Sequence, residues 1–142
     1  MSEPDLRLVW PLAAMVALTL VVWIRLYFER IGEMRERRIH PQKVATQQLA
    51  AGVLTRTQAA DHFRNLFEMP VLLYAGVAVA LATGMRCDFL VYAAWTFVAL
   101  RIAHATIHLT YNRVMHRFPI YVASSVVVWL FWIGLVVELA RG

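Results

Sequence analysis

Four long apolar runs dominate this chain and restrict the folds open to it. They cover residues 8–28, 67–83, 89–109 and 120–140, and hydrophobic residues make up 61% of the sequence. About 20 apolar residues in a helix cross the hydrocarbon core of a bilayer. In lipid only helices and closed barrels satisfy their backbone, and no run alternates with the period of a barrel strand. The sequence therefore predicts an all-α integral membrane four-helix bundle, with residues 1–142 as a single membrane domain.

Signals outside the apolar runs extend two of the helices. Residues 29–38 mix acidic and basic side chains at helical spacing, so the first helix is expected to continue as a solvated stalk until His40–Pro41 breaks it. Thr55 followed by Gln58 has the form of a capping box, which places the start of the second helix there. Pro70 is expected to kink that helix. The predicted helices span about 8–38, 56–83, 89–112 and 119–140, with a long cytoplasmic loop over 39–55.

Positive charges concentrate in two of the connections. These connections and the helix ends beside them contain Arg25, Arg30, Arg35, Arg37, Arg38, Lys43, Arg56, Arg64, Arg113 and Arg117. The positive-inside rule places both connections in the cytoplasm and both termini outward. The start Ser2–Asp5 is acidic, unlike a signal peptide, so the first run is expected to be retained, and the compact length favours a bacterial inner membrane. The net charge of +5 therefore reflects topology and does not indicate a nucleic-acid partner.

Polar side chains interrupt two of the apolar runs. Three lie at the start of the second run and three within the third: Arg64, Asn65, Glu68, Arg101, His104 and His108. An ionisable group costs about 2.5–3.5 kcal/mol at the centre of a membrane helix, so it rarely occurs there without a partner or a task. The spacing i, i+3, i+7 puts the later three on one helical face, and antiparallel helices bring both groups to a similar depth. We therefore expect a buried ion pair between Glu68 and Arg101.

These residues fit several kinds of site. They can form a hydrogen-bonded network that fixes helix packing. His104 and His108 are one turn apart, as two metal ligands would be, but structural zinc takes four ligands and only Glu68 could add a carboxylate, so no metal is predicted. Haem is not expected, because both histidines share one helix. A proton pathway is disfavoured, because the outer half of the bundle offers only Glu138.

A small anionic ligand fits the pattern as well. Arg64, Arg113 and Arg117 crowd the expected cytoplasmic mouth, and guanidinium groups bind carboxylates in bidentate geometry. Glu68 and Asn65 can accept hydrogen bonds from an amino group and from amide hydrogens. A ligand with carboxylates, an amine and peptide bonds suits this lining, and glutathione is such a ligand.

The chain resembles a known family, the membrane-associated proteins in eicosanoid and glutathione metabolism (MAPEG). The residues that carry the resemblance are Arg64-Asn65-x-x-Glu68 within 61–70, and Arg101-x-x-His104 followed by Arg113 and Arg117. With four spans and a long first loop, the resemblance covers nearly the whole chain. It implies a homotrimer of four-helix subunits that binds glutathione as a co-substrate between neighbouring subunits, near the cytoplasmic face.

The resemblance also implies roles for individual residues. By position, the tripeptide site would be lined by Arg64, Asn65, Glu68, His104 and His108, with Arg113 at its mouth and Tyr121 closing it. A thiol with a pKa near 8.5 is mostly protonated at neutral pH, and a neighbouring cation favours the nucleophilic thiolate. Arg117, beside the thiol, is the expected catalytic residue of a glutathione transferase or peroxidase that acts on lipophilic electrophiles in the membrane.

The chain departs from the family pattern at two positions. His108 stands where well-studied members have tyrosine, and Phe118 stands where the prostaglandin-forming member has serine, so prostaglandin synthesis is not expected. The family also includes a non-catalytic member that presents lipid to a partner enzyme. The alternative function is therefore a non-enzymatic membrane protein of the same fold, either a lipid-binding adaptor or a structural subunit of a membrane complex.

Overall fold

The computed structural model describes residues 4–141, and within that range the chain is helical and contains no strand. The six α-helices are α1 Val9–Glu36, α2 Gln47–Val53, α3 Gln58–Asn65, α4 Met69–Ala82, α5 Asp88–Leu109 and α6 Val114–Arg141. Short 3₁₀ helices cover Leu6–Leu8 and Pro41–Val44. Ser2 and Glu3, which belong to the predicted acidic start, lie outside the described residues.

Four segments are long and apolar enough to cross a membrane. They are Leu6–Glu36, Gln58–Ala82, Asp88–Leu109 and Val114–Arg141. The predicted all-α membrane bundle is confirmed, although α6 begins five residues before the predicted start at 119 and carries Pro119 inside it. Large apolar side chains such as Trp10, Phe28 and Trp129 are exposed on α1 and α6. In a bilayer this surface contacts lipid or neighbouring protein.

The core of the bundle is built around α5, which packs against α1, α3 and α6. The helix α4 also packs against α6, and it approaches closely because Gly76 faces Phe131. A Cβ atom at Gly76 would lie 2.7 Å from the ring of Phe131, so a larger residue has no room there. Trp132 Nε1 donates a hydrogen bond to the carbonyl of Leu72 at 3.0 Å and fixes the same contact.

The helix α1 continues past its apolar run to Glu36, as predicted, but Glu33 within this extension anchors a later segment and does not face solvent. Glu33 is buried, and its carboxylate accepts hydrogen bonds from the backbone nitrogens of Thr55 and Arg56 at 2.8 and 2.9 Å. The hydroxyl of Thr55 also donates to Glu33, so the predicted capping box between Thr55 and Gln58 does not form. Arg37 completes the group with an ion pair to Glu33 at 2.6 Å. Glu33 therefore holds the start of α3 against α1.

The connection predicted as the loop 39–55 contains a helix of its own, α2. Thr46 caps this helix, because its hydroxyl oxygen accepts a hydrogen bond from the backbone nitrogen of Leu49 at 3.2 Å. At the other end, Arg37 Nη1 donates to the carbonyl of Val53 at 2.7 Å. These contacts fold the connection back along α1 and place α2 beside α3.

The second span is interrupted, where the sequence predicted a kinked but continuous helix. α3 ends at Asn65, residues 66–68 form a turn, and α4 begins at Met69. Pro70 lies in the first turn of α4, where its missing N–H is tolerated. Glu68 adopts φ −94° and ψ −93°, outside the helical range, and its side chain is exposed. The interruption therefore moves Glu68 out of the bundle and presents the end of α3 to α5.

We expect Glu33→Ala to release the connection between α1 and α3. The variant leaves the backbone N–H groups of Thr55 and Arg56 without their acceptor, which costs roughly 3 kcal/mol in unfolding free energy. Glu36→Ala is the matched control, because Glu36 forms an ion pair of similar length with Arg56 but is 60% exposed. Limited proteolysis within residues 37–57 should accelerate in Glu33→Ala only. Equal cleavage of the two variants would contradict this role for Glu33.

Candidate functional site

Four polar side chains form a buried cluster between α3 and α5. They are His62, Arg101, His104 and His108, and each is at most 2% exposed. Arg101 is the largest fully buried side chain in the described part of the chain. The three residues from α5 share one face through the predicted spacing i, i+3, i+7, and His62 projects from α3 onto the same face. We call these four residues the buried polar cluster.

The histidines of the cluster contact one another directly. His62 Nδ1 lies 3.1 Å from His108 Nδ1, which is a hydrogen bond when one ring donates and the other accepts. The ring centroids of His62 and His104 are 5.3 Å apart, and those of His104 and His108 are 5.7 Å apart. One ring nitrogen from each histidine lies within 4.8 Å of the other two. The three imidazoles therefore surround one small volume.

Arg101 takes its hydrogen bond from the backbone and not from the predicted carboxylate. Its Nη2 donates to the carbonyl of Asn65 at 3.0 Å, at the end of α3. Nε and Nη1 are buried without a hydrogen-bond partner among residues 4–141. The predicted pair with Glu68 does not form, because the turn at 66–68 leaves Glu68 exposed. A buried charge with free donors is expensive unless something outside the chain accepts from them.

Tyr121 of α6 covers the cluster from the other side. Its ring centroid lies 5.8 Å from the guanidinium carbon of Arg101 and 5.8 Å from the ring of His104. The first contact is within the range of a cation–π interaction, which supplies part of the stabilisation that Arg101 lacks from hydrogen bonds. Tyr121 and His104, which were both expected at the tripeptide site, lie next to each other within a single chain.

Arg117 lies near the cluster, and Arg113 does not join it. Arg117 is half-buried in α6, and its Nη1 donates to Asn112 Oδ1 at 2.7 Å, which orients the guanidinium. Arg117 lies one turn before Tyr121, which covers the cluster. Arg113 is exposed in the connection between α5 and α6, and Phe118 is 63% exposed.

Arg64 lines a separate cavity. This cavity of about 400 Å³ lies between α1, α2 and α3, and its polar lining residues are Arg30, Gln47, Arg56, Thr57, Asp61 and Arg64. Arg64 Nη2 donates to Gln47 Oε1 at 3.2 Å. A hydrogen bond from Arg56 to the Glu36 carboxylate raises the pKa of Arg56, so that guanidinium stays charged. Glu36 offsets the charge of Arg56, but Arg30 and Arg64 still outnumber Asp61, so the cavity suits an anion.

An apolar cavity adjoins the arginine-lined one. It measures about 350 Å³ and is lined by Val16, Thr19, Leu20, Trp23, Phe63, Leu66, Phe67 and Tyr74. Trp23, Phe63 and Phe67 belong to the walls of both cavities. A polar ligand and an apolar ligand could therefore lie side by side across these three aromatic residues.

The structure brings only some of the predicted site residues together, because Glu68 and Arg113 are exposed and join neither the cluster nor the cavity. His104, His108 and Tyr121 meet at the buried polar cluster, whereas Arg64 faces the arginine-lined cavity. Asn65 joins the cluster through its backbone carbonyl. Arg64 follows His62 by two residues, or about 200° around α3, so the two side chains point to opposite sides of the helix.

His62 is the member of the cluster that the sequence prediction missed. It lies within residues 61–70, but the family motif in that segment consists of Arg64, Asn65 and Glu68 only. A signal was present: Ala59, His62 and Leu66 follow the spacing i, i+3, i+7, and all three are buried. A histidine on the apolar face of a helix points into the bundle.

We expect Arg101→Met to keep or raise the thermal stability of the protein. Methionine retains much of the side-chain volume and removes a buried charge that has two unpartnered donors, and such replacements are often neutral or stabilising. Thermal unfolding in detergent, with Arg101→Ala as the control that leaves a cavity, measures this directly. If Arg101→Met unfolded as easily as Arg101→Ala, the guanidinium would be a structural tie and not part of a ligand site.

The family model that matches this chain is that of the MAPEG family. It covers residues 8–137, which is nearly the whole chain and includes the cluster and both cavities. No curated protein and no solved structure matches the chain.

Proposed function

The chain belongs to the MAPEG family, and we propose that it is a glutathione-dependent membrane transferase or peroxidase that acts on lipophilic electrophiles. Family membership makes it a membrane protein of glutathione and eicosanoid metabolism. The observation that carries the finer proposal is the pair of adjoining cavities, one lined by arginines and one apolar. A reaction between a charged peptide and a lipid-soluble molecule needs neighbouring sites of these two kinds.

The arginine-lined cavity matches the charges of glutathione. The tripeptide has two carboxylates, which suit the guanidinium groups of Arg30, Arg56 and Arg64, and one ammonium group, which suits Asp61. A volume of about 400 Å³ falls within the range of small-molecule sites, and the apolar cavity of about 350 Å³ suits the electrophile. We place this mouth toward the cytoplasm, following the positive charges of the connections.

Neighbouring copies would complete the site. Arg64 and the buried polar cluster lie on opposite sides of α3, so one chain does not bring Arg64 to Arg117, His104 and Tyr121. In a homotrimer, the cluster side of one subunit can face the arginine-lined side of the next. The exposed apolar surfaces of α1 and α6 leave room for such contacts. In this arrangement Asn65, Glu68 and Arg113 could reach the same tripeptide, whereas His108 is buried within its own chain.

Arg117 would supply the chemistry. A cation beside the thiol stabilises the thiolate, which attacks the electrophile, forms the new carbon–sulfur bond and expels the leaving group. The hydrogen bond from Arg117 to Asn112 holds the guanidinium in one position before substrate binds, so little ordering is required during the reaction.

We expect Arg117→Leu to lower the conjugation rate about tenfold or more at pH 7, because each unit of thiol pKa changes the thiolate fraction about tenfold. The deficit should shrink as the pH rises above the pKa of free glutathione, where the thiol ionises without help. The measurement is turnover of a nitroaryl chloride between pH 6.5 and 9.5. Arg141→Leu, at the opposite end of α6, should retain the parental rate. A deficit of equal size at every pH would show that Arg117 does not act on thiol ionisation.

The apolar cavity also supports a second candidate, a lipid-binding adaptor of the same fold. Its walls are apolar apart from Thr19 and the Tyr74 hydroxyl, so it can hold an acyl chain whether or not glutathione binds. Displacement of a fluorescent fatty acid from the detergent-solubilised protein, in the complete absence of glutathione turnover, would favour this candidate over the enzyme.

A further inference from the structure

We propose that His62, His104 and His108 form a binding site for one divalent transition-metal ion of the zinc type, at the contact between α3 and α5. The sequence predicted no metal because it offered only His104 and His108, with Glu68 as the one possible further ligand, where structural zinc takes four. The structure adds His62 from a second helix, so the three donors converge from two directions. The test of this proposal requires no glutathione.

The distances are close to those of a coordination sphere. Zinc binds imidazole nitrogen at about 2.0–2.1 Å, so two ligands of a tetrahedral ion lie roughly 3.3 Å apart. The Nδ1 atoms of His62 and His108 are already 3.1 Å apart. The third donor, from His104, completes a set within 4.8 Å, and a modest rotation of its ring closes the remaining gap. Three histidines with an open fourth position are also the ligand set of known zinc enzymes.

The burial of the cluster points to a ligand as well. His62 Nε2 and His104 Nδ1 are buried and have no hydrogen-bond partner among residues 4–141. Buried polar atoms are rarely left unpaired, because each costs about 1–3 kcal/mol. A metal ion bound to Nδ1 of His62 and of His108 would replace the hydrogen bond between them, and the unpartnered His104 Nδ1 is available as the third ligand atom. His62 Nε2 would then carry the proton of its ring.

Arg101 determines what the fourth ligand must be. Its guanidinium lies one turn before His104 in α5, and a second positive charge there repels a bare dication. A hydroxide or another anion in the fourth position offsets this repulsion. Nε and Nη1 of Arg101, which lack partners among the described residues, are donors for that anion. We therefore expect the ion to bind together with an anion, and more weakly as the pH falls and the imidazoles protonate.

The test is a metal titration of the full chain in detergent, purified without a polyhistidine tag and stripped with a chelator. Co²⁺ is the first probe, because its visible absorption distinguishes tetrahedral from octahedral coordination. Zn²⁺ should then displace it. We expect one ion per chain with tetrahedral bands, and affinity at least about tenfold weaker in His62→Gln.

The matched control is the double variant His40→Gln/His116→Gln. It removes the two histidines outside the cluster, both exposed, and should bind as the parent does. Zn²⁺ should also raise the unfolding temperature of the parent and of this control, but not that of His62→Gln. This second readout needs only a folded starting state, which circular dichroism checks in each variant.

The absence of tetrahedral Co²⁺ bands in the parent would overturn the proposal without recourse to any variant. Binding that disappears in the control but persists in His62→Gln would show adventitious surface coordination and would also overturn it. Because the titration contains no glutathione, and glutathione binding is measured on chelator-treated protein, either proposal can fail while the other stands.

Discussion

The buried polar cluster is built around one guanidinium, that of Arg101, which has no carboxylate partner among the described residues. Arg101 lies at the centre of the bundle with no exposed surface, and its single hydrogen bond within the described residues goes to the carbonyl of Asn65. That carbonyl is available because the second span is interrupted at residues 66–68. The position of Glu68 outside the bundle follows from the same interruption. If tight packing were the only requirement, apolar side chains could fill this volume at a lower cost in free energy of folding.

The helix α3 separates two environments over a short distance. One side carries His62 toward the buried polar cluster, and the other side carries Phe63 and Arg64 toward the two cavities. Glu33 keeps α3 in this position, because its buried carboxylate binds the backbone just before the helix begins. The long connection after α1 is thus part of the site architecture. Within one chain, α3 separates Arg64 from the cluster. In the proposed trimer, a ligand can contact both kinds of surface by binding between two subunits.

The fold was largely predictable from the sequence, and the site was predictable only in part. The four apolar runs are sufficient to define the spans, because the bilayer restricts length and secondary structure so strongly. Pro70 signalled a disturbance in the second span, but a proline fits equally in the first turn of a new helix, and the sequence does not distinguish the two. The stripe on α5 was predicted correctly because helical spacing alone defines it.

Contacts between elements were harder to predict. The pair between Glu68 and Arg101 was expected from charge and depth, and it is wrong because the turn at 66–68 rotates Glu68 outward. Glu33 was expected to face solvent, since nothing in residues 29–38 reveals that a later backbone segment folds onto them. His62 was not predicted because it lies outside the family motif, on the apolar face of α3 with Ala59 and Leu66. In each case the missing information was which segment packs against which.

The most direct measurement is an equilibrium titration of chelator-treated protein with glutathione, in which bound thiolate is followed by its ultraviolet absorbance. The parent and Arg101→Met are compared after both are shown to be folded. If the buried polar cluster receives a ligand, the parent will bind glutathione saturably with a thiolate signal, and Arg101→Met will bind far more weakly without losing stability. If the parent does not bind glutathione, the enzymatic proposal fails; if the two proteins bind alike, the buried polar cluster takes no part in glutathione binding.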